Sequence, residues 1–323
     1  MYKKNSKKLE VLIVGMGSIG LRHASIFKDL GCAVSFFRTN KSNLKNPNCY
    51  NEYFGIKQIN KLSFDLIAIC NPSSMHVEYL KKFKNLSQNF FIEKPLCTNK
   101  KDLIFLKKIS IKKNIYSGYM LRYDKRVLEI KKKLKNVNTP KFSSFKWHTY
   151  FPDWHKYENF KNSYAANKKL GGGVIFTCSH EIDMAIFLFG KVKTVHCQEI
   201  IKRLNLNVEE SVCILMTHEN GSKSFVSLDF TNKNFTREFK VYYKNKILTC
   251  NFKKSNICQE SFNNLFLIIV SGKNDIDQTY KNQNYSILKN IKNNVKVFLN
   301  IETERVLLSC LKSLKLKKMI KIL

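Results

Sequence analysis

The chain has 323 residues, 44% of them hydrophobic, with ten cysteines and a formal net charge of +33. That length favours two domains over one core; no stretch approaches the ~20 apolar residues needed to cross a bilayer, and the apolar run after the basic N-terminus is short, ends in glycines and reads as a first strand, not a signal segment. The cysteines stand singly with no CxxC pair, which points to buried thiols in a reducing cytoplasm; the charge is lysine spread along the whole chain beside abundant Asn, Ile, Phe and Tyr, a bias unlike the arginine-rich face of a nucleic-acid reader, so neither nucleic acid nor membrane is expected as a partner, whereas anions are attracted.

Val11 to Ala24 reads as strand, glycine turn and helix, with Gly15-Met16-Gly17-Ser18-Ile19-Gly20 between the apolar run and a helix reaching about Leu30. The spacing suits a dinucleotide. Gly15 allows the tight turn, Gly17 lets backbone approach a pyrophosphate, Gly20 lets the helix pack on the strand, and Ser18 and Ile19 open the helix whose N–H groups face the phosphates. A second strand, Cys32 to Arg38, ends in Arg38-Thr39 with no acid at its tip. An acid there would bind the 2′-hydroxyl of NAD, and an arginine grips a 2′-phosphate, so NADP(H) is the preferred expectation and NAD(H) the alternative.

Residues 43–61 are polar with a short irregular strand. Phe64 to Cys70 is a continuous apolar strand ending in Asn71-Pro72, and a helix carrying His76 follows to about Lys84. Phe90 to Glu93 leads into Lys94-Pro95, a helix covers about Asn99 to Lys113, and Ile115 to Met120 is a further strand. This alternation predicts a doubly wound parallel sheet. Gly15, Arg38, Asn71 and Lys94 all fall at strand C-terminal ends, where such sheets bind ligands.

A charged helix over Leu121 to Lys135 marks the change to a second domain. Strand Phe142 to Tyr150 leads to an aromatic loop with Trp154 and His155, then Gly171-Gly172-Gly173 and one helix, Val174 to Phe189, carrying His180 and Asp183. Alternating runs at 194–200, 211–217, 224–230, 237–243 and 246–252 predict an antiparallel sheet, with 265–270 as a possible addition. Helices are expected near 280–293 and 301–314. The expectation is an α/β chain: residues 1–121 a Rossmann domain, residues 122–323 an α+β domain with an open-faced, mostly antiparallel sheet, and C-terminal helices able to pack back on the first domain.

GMGSIGLRHA, Pro72-x-x-x-His76, Glu93-Lys94-Pro95, and the triple glycine leading into His180-Glu181-Ile182-Asp183 occur in an order that resembles the glucose–fructose oxidoreductase / inositol dehydrogenase (Gfo/Idh/MocA) family. The resemblance spans the chain. It implies NAD or NADP on the first domain, a second domain that commonly builds homodimers or homotetramers through its sheet, and hydride transfer to or from a sugar, nucleotide sugar or polyol. Lys94 matches the family's active-site lysine and His180 its catalytic histidine. A near-neutral imidazole suits the hydroxyl proton that must leave with the hydride, and an ammonium suits a developing oxyanion.

Asp183, three residues after His180, is expected to orient the imidazole or bind substrate. Many members carry an Asp three or four positions before the histidine, where this chain has Phe176 and Thr177. Thr177 can hydrogen-bond substrate but cannot act as a base. Pro72, His76 and Glu93 are placed near the cofactor, His76 alternatively as a helix cap. Tyr119 and Arg122, in GYMLRY, face the family's cleft, Arg122 to hold a carboxylate or phosphate. Trp154, His155 and Tyr164 face the sugar or pack the interdomain surface. No metal is expected, since Glu181 points away from His180 on the helix. The alternative functions are a reductase of a non-sugar imine or tetrapyrrole, and a catalytically silent NADPH sensor.

Overall fold

A computed structural model describes residues 8–38, 46, 50–135, 142–154, 159–261, 266–271 and 276–322. The chain forms two units, one comprising Met1–Cys97, Lys101–Gly118 and Tyr280–Leu299, the other Thr98–Lys100, Tyr119–Thr279 and Asn300–Leu323.

The first unit alternates strand and helix: β1 (Glu10–Val14), α1 (Ser18–Asp29), β2 (Ala33–Phe37), β3 (Asn51–Tyr53), α2 (Ile56–Ile59), β4 (Leu66–Ile69), α3 (His76–Phe83), β5 (Asn89–Ile92), α4 (Lys100–Ile109) and β6 (Asn114–Ser117). The described strands form a six-stranded sheet in the order β3-β2-β1-β4-β5-β6, parallel throughout. β4 (LIAI) is buried at every position, as a strand covered on both faces must be, which is why it reads as an unbroken apolar run. Val11, Ile13, Phe27, Phe36, Leu66 and Phe91 build the core, together with Ile287 and Leu288 from much later in the chain. The strand order reverses between β1 and β4, so the loops after these two strands flank the crevice where doubly wound sheets bind ligands.

The second unit holds α5 (Lys125–Leu134), β7 (Phe142–Tyr150), α6 (Val174–Thr177), α7 (His180–Phe189), β8 (Val192–Glu199), β9 (Ser211–His218), β10 (Lys223–Asp229), β11 (Thr231–Tyr243), β12 (Lys246–Asn251), β13 (Asn256–Ser261), β14 (Phe266–Ser271), then α8 (Ile276–Lys292), which passes into the first unit at Tyr280, α9 (Glu302–Leu316) and β15 (Ile320–Lys321). Its described strands form a nine-stranded sheet in the order β14-β13-β12-β11-β7-β10-β9-β8-β15. Every pairing is antiparallel except β7 with β10. In β9, Val212, Ile214 and Met216 are buried while Leu215 between them is exposed, the alternation of a sheet with one covered and one open face.

The expected fold class is therefore the observed one, with two local corrections. The single helix expected from Val174 to Phe189 breaks after Thr177 into α6 and α7, and the segment Lys168–Thr177 meets α7 at a bend of 51°. Thr177, Cys178 and Ser179 are all weak helix formers, and the break falls at them. The helix expected from Leu121 starts later: Met120–Tyr123 is a 3-10 turn, and Asp124 then caps α5 by accepting from the Arg126 amide. The described cysteines sit buried as thiols, with Cys213 half-buried. No single described helix is long and apolar enough to cross a membrane.

Candidate active site

The glycine loop divides its labour as the spacing demands. Gly15 sits at φ +96° and its amide donates to the Phe37 carbonyl at 3.1 Å, tying the loop to the tip of β2. A Cβ at Gly15 would lie 3.0 Å from the Asn71 backbone, and one at Gly20 only 2.1 Å from the Gly15 carbonyl oxygen. Both positions are closed to other residues by protein atoms. Gly17 is different: a Cβ there would meet no described atom within 4 Å beyond its own chain neighbours. Gly17 caps α1 with no side-chain hydrogen bond and no acid in the first turn, so the positive end of the helix, opening with Ser18 and Ile19, faces a space that no described residue fills.

Asn71 follows β4 across the crevice from this loop. Both polar atoms of its carboxamide are buried and lack a hydrogen-bond partner among the described residues. A buried amide left unmatched costs about 1–3 kcal/mol. Together with the space above Gly17, this is the chemistry of a site built for a polar ligand, and it fits a dinucleotide.

Pro72 starts the turn into α3, and His76 behind it is neither a helix cap nor open to a ligand. Its Nδ1 and Nε2 lie 2.9 Å from the Pro95 and Asn71 carbonyl oxygens, so the ring braces the loop after β4 to the loop after β5. Burial lowers its pKa, against those two carbonyls, which raise it. Glu93 also turns inward: one carboxylate oxygen lies 3.0 Å from His23 Nε2 and the other accepts from the Lys94 amide at 3.0 Å. Lys94 itself is half-buried.

The expectation for Arg38 changes more. Its guanidinium is buried, Nη1 donates to both carboxylate oxygens of Glu52 at 2.9 and 3.0 Å, and the group lies near the Phe54 ring. A 2′-phosphate would have to compete with a carboxylate already paired with this guanidinium, so Arg38 by itself is no argument for NADP(H). Thr39 lies outside the described residues. Glu52→Gln is expected to raise the NADPH:NADH affinity ratio by about tenfold, since one charge-assisted bond is worth about 1.5–3 kcal/mol. Nicotinamide fluorescence titrations of both forms check this, and an unchanged ratio would remove the Arg38–Glu52 pair from cofactor selection.

In the second unit, the expected substrate residues Tyr119, Arg122 and Asp183 are engaged with protein. Arg122 Nε and Nη2 donate to Asp183 at 2.9 and 2.6 Å, and the Thr303 hydroxyl donates to the same carboxylate at 2.7 Å. Asp183 is 1% exposed; a carboxylate so buried requires these partners, and its expected role beside His180 gives way to them. Burial works to lower the Arg122 pKa, but Asp183, by charge and hydrogen bond, together with Tyr119 and Glu304 raises it on balance. Tyr119 donates to Glu304 at 2.9 Å, and burial and the Glu304 charge raise its pKa. Its ring meets the His180 ring edge-on at 6.0 Å. His180 begins α7 and is buried, as is Thr177 at the end of α6.

Glu181 points instead toward the sheet, where Arg237 Nε donates to it at 2.7 Å while stacking 3.8 Å above Trp147. No group of three or more His, Cys, Asp or Glu among the described residues is placed to hold a metal ion. Trp154 belongs to an aromatic cluster: it stacks on Trp147 and meets Phe151 and Phe230 edge-on, with its indole N–H donating to Thr149 at 2.8 Å. These contacts pack Trp154 within its own unit. Tyr164 is exposed, and His155 lies outside the described residues.

The turn that aims α6 depends on Glu209. Its backbone carbonyl accepts from Val174 and its carboxylate from Ile175 at 3.2 Å, and a Cβ at Gly173 (φ +103°) would lie 2.3 Å from that carboxylate. Burial pushes the Glu209 pKa from 4.5 up to about 7. A raised carboxyl pKa favours the fold at low pH; that contribution is lost as pH rises from about 4.5 to about 7. By linkage it amounts to at most about 3 kcal/mol, reduced by solvent screening of a half-buried group. Glu209→Gln keeps an acceptor for Ile175 and is expected to flatten the fall in thermal midpoint between pH 5 and pH 8. Parallel pH profiles for variant and wild type would count against it.

Sequence reasoning missed His23, Glu52, Glu209, Asn284 and Glu304. Glu52 had a signal, being the only acid between Asp29 and Asp65. The others had none, because their partners are distant in sequence.

Residues 9–117 match the oxidoreductase family with NAD-binding Rossmann fold, and residues 140–248 match the GFO/IDH/MocA C-terminal domain. No curated protein matches the chain by sequence. Among solved structures it is similar to myo-inositol 2-dehydrogenase from Lactobacillus plantarum (17% identity, TM-score 0.80, 98% of this chain and 100% of that one). It is also similar to scyllo-inositol dehydrogenase from Lactobacillus casei with bound NAD(H) and scyllo-inositol (15%, 0.79, 98% and 99%). A third is levoglucosan dehydrogenase in complex with NADH and L-sorbose (14%, 0.83, 98% and 100%). At these identities the structures speak for the fold, and the two sequence matches, which cover most of the chain, place it in the Gfo/Idh/MocA family of NAD-binding oxidoreductases.

Proposed function

We propose that the protein is a nicotinamide-dependent dehydrogenase or reductase acting on a carbinol or keto carbon of a sugar, nucleotide sugar or polyol. The observation that carries this is the cradle in the first unit: open space above Gly17 at an uncapped helix N-terminus, beside an Asn71 carboxamide with no partner among the described residues. Gly15, Gly17, Ser18, Ile19 and Gly20 would hold the pyrophosphate, Asn71 the neighbouring polar groups, and the Arg38–Glu52 pair would face the adenosine ribose. The nicotinamide, when bound, supplies or takes the hydride.

The chain's own part is to bind, orient and move one proton. Lys94 orients the reacting oxygen and neutralises the charge that develops on it. His180 exchanges the hydroxyl proton, a task within reach of an imidazole near neutral pH. The substrate class rests on the relatives, which include inositol and levoglucosan dehydrogenases. The +33 net charge adds a preference for anionic or nucleotide-linked sugars. On the open sheet face, Leu215 of β9 and Phe225 of β10 stand opposite each other and both are exposed. We assign that face to a homodimer or homotetramer, which sedimentation of wild type against Leu215→Glu would reveal.

The test is a fluorescence titration with NADH and NADPH followed by a panel of inositols, levoglucosan and nucleotide-linked sugars. Binding of a reduced cofactor with turnover of a panel member supports the reading. Binding with no turnover across the panel, unaffected by Lys94→Ala and His180→Ala, would favour a cofactor sensor. Failure of a folded protein to bind either cofactor would overturn both.

A further inference from the structure

The residue before Lys94 is held by a polar network that the reaction itself does not require. His23, on the face of α1 turned into the first unit, is fully buried. Its ring is wedged 4.7 Å from Phe91 and 5.4 Å from Tyr280. Its Nε2 lies 3.0 Å from one oxygen of Glu93. Its Nδ1 lies 3.1 Å from the carboxamide of Asn284, also fully buried, on the part of α8 that belongs to this unit. The other Glu93 oxygen accepts from the backbone N–H of Lys94 at 3.0 Å. Gly118, after β6, makes the space: a Cβ there would come within 2.8 Å of both the Glu93 Cα and the Lys94 nitrogen.

We propose that His23, oriented by Asn284, is a positioning residue that acts through Glu93 to fix where Lys94 is presented. The inference rests on the reading that Lys94 does chemistry. The physical argument is one of satisfaction and geometry. A carboxylate this buried draws a proton donor onto each oxygen, so Glu93 selects the His23 state with a proton on Nε2. That leaves Nδ1 to be matched by Asn284, whose carboxamide offers a donor or an acceptor as the ring requires. With both ring nitrogens occupied the imidazole cannot turn, and with both oxygens occupied the carboxylate cannot turn either. The Lys94 amide is therefore anchored through three side chains to α1 and α8 and not only by its own loop. Displacement of a reacting group by about 1 Å can cost about a hundredfold in rate, which gives such an anchor its purpose.

The test reads the Lys94 amine directly and needs no known substrate. The full-length protein is labelled competitively with isotopic acetic anhydride over a range of pH. Peptide mass spectrometry follows Lys94, with Lys28 and Lys81 as internal references. His23→Phe keeps an aromatic ring among Phe91, Phe27 and Tyr280 but removes both hydrogen bonds. It is expected to change the Lys94 labelling rate at least threefold while leaving the two references unchanged. His23→Gln, whose carboxamide can still donate to Glu93, is expected to restore most of the wild-type rate. A Lys94 rate equal to wild type in folded His23→Phe overturns the proposal, as does a change shared by the reference lysines. Should His23→Phe fail to fold, Asn284→Ala gives the same reading with a smaller expected change, and an unaltered Lys94 rate there overturns it equally. Failure of the underlying reading looks different: Lys94→Ala would then turn over substrate normally whatever the labelling shows.

Discussion

Lys94→Ala is expected to lower kcat by about a thousandfold with NADH affinity within about twofold of wild type, because an ammonium that neutralises a developing oxyanion acts in the transition state and not on the bound cofactor. The structure explains why the effect should be confined to chemistry. The Lys94 backbone N–H is held by Glu93, and that carboxylate by His23. Neither bond uses the lysine side chain, so alanine leaves the loop after β5 anchored. His180→Ala is expected to act on a different quantity, removing the group proposed to exchange the proton, so in the oxidative direction its loss of rate should diminish as pH rises and solvent base replaces it. The measurement is steady-state turnover of whichever polyol in the panel is processed, with cofactor affinity determined separately by fluorescence. A Lys94→Ala enzyme that keeps wild-type kcat would sink the assignment, and one that loses NADH binding in parallel would move Lys94 from chemistry to cofactor binding.

What the sequence disclosed and what it withheld divide along a physical line. The parallel sheet was legible because each strand–turn–helix unit is local: the apolar run of β4 and the glycines after β1 carry their meaning within a few residues. The sheet of the second unit was legible for the same reason, as in the buried–exposed alternation of β9. What stayed hidden were pairings across distance. Arg38 looked available for a phosphate because its partner Glu52 enters only through the register of β2 with β3, where Phe36 stands beside Glu52. Arg122 and Asp183 each resembled a substrate ligand when read alone, yet they bind each other across 61 positions. His23 and Asn284 are 261 positions apart. A charged or polar residue in a motif announces a need for a partner; only the fold shows whether that partner is protein or ligand. On this criterion Gly17, whose Cβ position meets no described atom, and Asn71, whose carboxamide has no partner among the described residues, are the positions the fold leaves to a cofactor, while Lys94 and His180 stand on the family match.

Gly17→Ala puts that criterion to its sharpest use. Gly17 has φ −75° and ψ −178°, an extended conformation open to alanine, and a Cβ there would meet no described atom within 4 Å beyond its chain neighbours. Among the described residues nothing therefore requires glycine at this position. Exchanging glycine for alanine at a helix N-cap costs stability of only about 1 kcal/mol, so the thermal midpoint should fall by a few degrees at most. A pyrophosphate seated on the α1 amides would feel the methyl group directly. Each charge-assisted bond it loses is worth about 1.5–3 kcal/mol, or at least about tenfold in affinity, and two lost bonds give a hundredfold. Gly20→Ala supplies the contrast: its Cβ would lie 2.1 Å from the Gly15 carbonyl oxygen, so that variant should lose stability and cofactor together. Thermal melts and NADH titrations of the two variants separate a glycine needed for packing from one needed by a ligand. If Gly17→Ala binds NADH as wild type does, the space above it belongs to no phosphate, and the cradle must be sought elsewhere along the crevice between β1 and β4.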